Sequence, residues 1–220
     1  MSRHLPGLVL VGVLSLAGAG AMAQVEAERR LDAAIERLRA ALGPDMRLEI
    51  GGRRIDPVSG SATLTDVALI EGGNRLTVPE LRLAELEEAR IGRAELLRTT
   101  YLGSNGSRGE IARIVLAGVP IPAPGAPLDF ATLSVAALEV EAARMVDPGK
   151  GTMSLGRLTI RDLTPQGLAA GALEAFEFRD AEADPQTLRL GRVELEALTL
   201  PMTNQEFDPM AFRVARIALE

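Results

Sequence analysis

The sequence predicts a mainly β protein: a curved antiparallel sheet or open β-groove built from repeated strands, with one N-terminal α-helix. Three observations predict it. One stretch near the N-terminus has helical periodicity. After Asp45 the apolar period shortens to two, in short runs broken by Gly, Pro and Asp. One six-residue pattern then recurs along the chain. A parallel β-solenoid is the alternative, because repeats roughly twenty residues apart suit its coils. The spacings, which range from 13 to 25, favour one strand plus a variable connection.

Residues 1–23 read as a cleavable secretory signal. Arg3 supplies the cationic start, Leu8 to Leu16 the apolar stretch, and Ala21-Met22-Ala23 the small-x-small cleavage pattern. The stretch is shorter than the roughly 20 apolar residues of a spanning helix, and it is rich in Gly and Ala. The cut is expected after Ala23, and no later run is long enough to span a bilayer, so no transmembrane segment is expected after cleavage. The high ratio of Arg to Lys, with Lys150 the one lysine, goes with a GC-rich bacterial genome and therefore a periplasmic destination.

The 220-residue chain carries a net charge of −6, and loss of Arg3 takes the mature form to −7. An acidic chain lacks the clustered cations that phosphate backbones require, so nucleic acid is excluded as a partner. Trp is absent, and Tyr and Phe together number six, so ligand stacking on aromatic faces is not the chain's chemistry. The division expected is 1–23 signal, 24–44 amphipathic helix and 45–220 repeated-strand domain.

Residues 25–42 form the helix. Leu31, Ile35, Leu38 and Leu42 draw one apolar stripe, charged residues fill the other faces, and Gly43-Pro44 stops it. The stripe is narrow and the polar face mixes signs, which suits a helix covering a sheet better than one lying in a membrane surface. Strands are expected around Met46–Ile50, Leu64–Leu69, Leu76–Leu83 and Leu188–Leu200. Loops are expected at Arg53–Gly60, Thr100–Arg108, Pro120–Pro127, Asp147–Gly151 and Asp180–Gln186.

The repeated hexad is apolar, Gly or Ala, Arg, apolar, any, apolar. It is complete at Ile91–Leu96, Ile111–Leu116, Leu155–Ile160, Leu190–Leu195 and Val214–Leu219. Looser copies lie at Leu64–Leu69, Val78–Leu83 and Phe130–Val135, and a marginal one starts at Ala170. Strict alternation places positions two, four and six on one dry face and the leading apolar residue with Arg on the other. The arginines of the complete copies, Arg93, Arg113, Arg157, Arg192 and Arg216, are the candidate anion- or partner-binding row; cross-strand ion pairing with neighbours such as Glu95 and Glu194 is the plainer reading.

Reactive chemistry is sparse. His4 is the only histidine and leaves with the signal, and there is no cysteine. This removes imidazole general-base catalysis, thiol chemistry and His- or Cys-ligated metal, so the chain is read as no enzyme and as needing no cofactor or metal. Asp147 to Thr152 has the flavour of a phosphate loop but lacks the first glycine of the P-loop spacing. Asp180, Glu182 and Asp184 alternate like the start of a calcium loop but lack its central glycine and closing glutamate. Asn105-Gly106-Ser107 reads as a tight turn.

The segments Gly60–Leu86 and Met153–Leu163, together with the export signal and short Gly/Asp connections, resemble the AsmA and TamB group of bacterial envelope proteins. The resemblance covers most of residues 46–219 and rests on alternation with recurrent small residues. It implies an open β-groove whose apolar interior carries lipid. This chain is much shorter than those proteins and has no retained anchor in its sequence pattern. The function expected is an exported, non-catalytic envelope protein binding a lipid-like ligand or an envelope protein partner, the alternative being a structural adaptor with no small-molecule ligand.

Overall fold

A computed structural model describes residues 25–56, 59–127, 134–182, 185–199, 202–203, 206–207 and 213–219. The signal segment lies outside the described residues, as do most of the hexad copy at Phe130–Val135 and Asp184 of the acidic loop.

Helix α1 (25–41) precedes thirteen strands. These are β1 (Met46–Glu49), β2 (Gly52–Ile55), β3 (Ala62–Glu71), β4 (Asn74–Leu86), β5 (Arg90–Leu102), β6 (Arg108–Pro120), β7 (Val135–Asp147), β8 (Gly151–Leu163), β9 (Gly167–Asp180), β10 (Thr187–Thr199), β11 (Met202–Thr203), β12 (Glu206–Phe207) and β13 (Arg213–Leu219). Eleven form one open sheet in the order β1-β3-β4-β5-β6-β7-β8-β9-β10-β13, with β2 also on β3. Every pairing is antiparallel, so the architecture is the open sheet and not the solenoid. The pairs joined by short turns are hairpins, which antiparallel neighbours allow and parallel ones do not. One expected loop changes: Gly52–Ile55, at the start of Arg53–Gly60, pairs with β3 as an edge strand.

The helix sits on one sheet face. Leu31, Ala34 and Ile35 share a buried cluster with Ala62, Leu64, Val67, Val78, Leu83, Leu86, Ile91, Ala94 and Ile121. Leu31 is fully enclosed at 0% exposure. Burial of a leucine of this kind contributes about 1.5–3 kcal/mol, and the charged faces of α1 stay in solvent, where Glu26 pairs with Arg29 and Arg30.

The strands depart from simple alternation in a regular way. Each of the eight strands β3–β10 contains one residue past its first position with a left-handed backbone: Asp66, Glu85, Arg98, Gly118, Ala142, Asp162, Ala175 and Ala197, with φ between 48° and 68°. Such a residue kinks a strand and turns two successive side chains to the same side. Its neighbour across the ladder is small. Glu85 lies opposite Gly92, between the pairs Ala84–Arg93 and Leu86–Ile91. Arg98 lies opposite Ala112, Ala142 opposite Gly156, Ala175 opposite Gly191 and Ala197 opposite Ala215. These small residues are position two of the hexads. A Cβ on Gly92 would lie 2.5 Å from the Cβ of Glu85, and one on Gly156 would lie 3.0 Å from that of Ala175.

The kinks correct the assignment of faces within the hexad. Ile91 and Ala94 are members of the buried cluster and Leu96 packs against it, so positions one, four and six share the dry face. The small residue and the arginine are the two successive residues turned outward. With this rule two further copies emerge, both without arginine: Val135–Val140 on β7 and, with Gly171 at the fourth position, Leu168–Leu173 on β9. The copy on β9 takes the place of the one starting at Ala170; the one at Phe130–Val135 lies mostly outside the described residues.

The kink geometry yields a mutational test. Gly92→Ala forces a Cβ against the Glu85 side chain, whose own Cβ is 2.5 Å away, and should destabilise by about 1–3 kcal/mol. Gly171→Ala, whose Cβ meets Leu168 Cδ1 at an ordinary 3.6 Å, should be neutral or raise stability by about 0.5 kcal/mol. Urea midpoints of the two variants check this, and equal midpoints would count against the packing assigned to the kink.

Candidate functional site

The dry face continues well beyond the helix. Antiparallel partners project to the same side, so the register traces its columns. One column runs Leu64, Leu81, Leu96, Ile114, Val140, Leu158, Leu173 and Val193, from β3 to β10. Beside it run Leu83, Ala94, Leu116, Leu138 and Ile160, reaching Leu195 through Gly171. A column at one strand end joins Leu69, Leu76, Tyr101, Gly109, Met145, Met153, Phe178 and Leu188.

Cover is unequal along these columns. The members of the buried cluster all lie between residues 31 and 121, beneath and around α1. From β7 to β10 the same columns continue with half-buried Val140, Leu158, Leu173 and Val193. No cysteine or histidine occurs among residues 25–220, and among the described residues no group of three or more acidic side chains is placed to hold a metal ion. The clefts of about 520 and 500 Å³ flanking α1 are lined largely by charged groups such as Asp32, Arg39, Arg30 and Glu88. The open apolar face is therefore the candidate site.

One polar atom lies in the covered part of the same sheet face, on β5. Thr99 is 1% exposed, beside Ile111 in the register, and its Oγ1 has no hydrogen-bond partner. Its signal in the sequence is indistinct, since threonine also suits a half-buried strand.

The opposite face carries the charges. Glu80, Leu97, Arg113, Glu141, Arg157, Glu174 and Arg192 follow one another across the sheet, each in register with the next. Three of the five candidate arginines therefore share a line, but carboxylates stand between them. Arg113 Nε donates to Glu95 Oε1 at 2.6 Å and its Nη1 to Glu141 at 3.5 Å. Arg157 pairs with Glu139, and Arg192 with Glu194 at 2.5 Å and Glu174 at 3.6 Å. Arg93 is in register with Ala84 and Ala117 on a different line, and Arg216 with Glu196 at the far edge. The arrangement is an alternating ladder of charge, in which exposed pairs are each worth a few tenths of a kcal/mol to about 1 kcal/mol.

The most enclosed of these pairs is Glu95 with Arg113, at 16% and 31% side-chain exposure. The Arg113 hydrogen bond holds the Glu95 carboxyl below the usual carboxylate range, outweighing the desolvation that would raise it. The remaining motifs resolve as turns. Asp147 accepts from the Gly149 amide and the Ser107 hydroxyl in the loop containing Lys150. Asn105 Oδ1 accepts from the Ser107 amide, and Asp180 accepts from the amides of Glu182 and Gln186.

No protein-family model matches the sequence, and no curated protein matches it.

Two expectations follow from this geometry. Thr99→Val removes an unsatisfied buried hydroxyl with little change of shape, so it should stabilise by about 1 kcal/mol and raise the melting midpoint by about 2–4 °C; a lower midpoint would mean the hydroxyl has a partner. Because the folded pKa of Glu95 is depressed, its contribution is present above the unfolded value near about 4.3 and lost as pH falls through the folded one. Glu95→Gln should accordingly flatten the fall of melting midpoint with acid below about pH 4.5, measured by thermal unfolding across pH.

Proposed function

We propose that the chain is a non-catalytic binding protein of a bacterial envelope, periplasmic after export, whose apolar sheet face receives a lipid-like ligand. The observation that carries this reading is the continuation of unbroken apolar columns onto β7–β10, beyond the core cluster packed under α1. A face used for folding alone needs to be apolar only where something covers it. Exposed or half-covered apolar area of this extent marks a binding surface in soluble proteins. Four strands at about 4.8 Å spacing give that region a width of roughly 15 Å, enough to lay an acyl chain across the columns. The resemblance to AsmA and TamB-like grooves supports the same reading, as does the scarcity of reactive side chains. Among the described residues no helix is long and apolar enough to cross a membrane.

Mature protein purified from an envelope preparation should carry lipid detectable by native mass spectrometry and solvent extraction. Leu158→Glu and Leu173→Glu, in the middle of the columns, should reduce the bound lipid at least about tenfold by burying a charge against it. Arg157→Ala, on the opposite face, should leave it unchanged. Lipid-free protein whose melting midpoint does not respond to added fatty acid would sink the reading and leave the adaptor role in its place.

A further inference from the structure

The two ends of the strands differ. At one end the apolar face is closed: Leu86, Ile91, Ile121 and Val135 are each between 4% and 8% exposed. At the other end it is open. Among the described residues six large apolar side chains are exposed, and five of them, Leu102, Met145, Val146, Met153 and Leu188, lie at this end. Met145 pairs with Met153, and Phe178 links Met153 to Leu188, so three of the five form the outermost column of the dry face itself. Leu102 and Val146 stand at the same ends of β5 and β7 but on the opposite side of the sheet, both in register with Arg108, so the strand ends are apolar on either side of that column.

We infer that this lip is where the protein meets a lipid bilayer, and that a lipid chain passes sideways over it onto the apolar face. This rests on the lipid-binding reading above. Three features fit a bilayer. The lip is continuous with the face, so a chain crossing it keeps apolar contact throughout. Its unbranched methionines adapt to an irregular partner. The charges beside it are balanced, with Arg108, Arg144, Lys150 and Arg179 among Glu110, Asp147, Glu177 and Asp180. A neutral border suits zwitterionic headgroups; an anionic surface would call for clustered cations.

The absence of tryptophan makes the test clean. Met153→Trp places a fluorophore on the lip, and Gln166→Trp places one in an exposed turn at the opposite end. With phosphatidylcholine vesicles containing brominated chains, emission of M153W should fall by about half, as expected for a ring at the acyl boundary, and that of Q166W should not fall. The paired variant Met145→Glu/Met153→Glu should take up phosphatidylcholine from vesicles at least about tenfold more slowly than wild type, with unchanged capacity when the lipid is supplied in detergent. Met153→Ser gives a milder check should the double variant fail to fold, and its uptake should also slow. Equal quenching at the two positions, or uptake unaffected by the lip variants, overturns the inference. Quenching at the lip in a protein that holds no lipid by either route keeps the bilayer contact and removes the ligand reading; absence of both removes both.

Discussion

The constraint on which this sheet depends is steric. A left-handed residue inside a strand aims its Cβ toward the neighbouring strand, and two side chains cannot share that space. Every complete hexad supplies a Gly or Ala at the point of conflict. In β5 to β10 the small residue precedes the left-handed one by six positions, as in Gly92 to Arg98 and Gly156 to Asp162. Successive strands run in opposite directions, so each strand accepts a kink from its neighbours at one point and imposes one at another. A one-residue slip would set Cβ against Cβ along the ladder, so the kinks specify the register as firmly as the apolar pattern does.

This constraint also determines which face is dry. Each kink turns two consecutive residues outward, so inward positions run with steps of three, two and three, as in Ile91, Ala94, Leu96 and Thr99. Strict alternation would put Ile91 and Leu96 on opposite faces. The helix, the antiparallel strands and most turns were legible because periodicity and Gly/Pro punctuation are local signals. The assignment of faces was not legible, because it depends on a backbone conformation adopted by Glu85, Arg98 and Ala142, residue types with no intrinsic preference for it. Ala136 and Ala169, the small residues of the copies on β7 and β9, carry no local signal of their place, because a small residue marks the dry face or the kink only once the backbone conformation of its neighbours is fixed.

The arginines take their meaning from the outward face. At Arg113, Arg157 and Arg192 the residue following the small position is turned outward beside a ladder partner from the next strand that is a glutamate. Sequence spacing alone cannot show that Glu141 and Glu174 stand between Arg113, Arg157 and Arg192, because those glutamates belong to β7 and β9, strands whose hexads lack arginine. From β6 to β10 charge alternates along this line because arginine-bearing strands alternate there with strands that bear glutamate.

The two faces therefore do different work with the same backbone. The outer ladder lines a wide open sheet with many small pair energies, none of which needs a precise partner. The inner face is apolar over a larger area than one 17-residue helix segment, 25–41, can seal. An uncovered apolar sheet usually invites aggregation, and natural sheets interrupt such a surface with charges when nothing binds there. Here no ionisable side chain enters the column from Leu64 to Val193. Retaining that apolar run on β7–β10, while charges are concentrated on the opposite side, makes sense if an apolar guest completes the core that the helix begins.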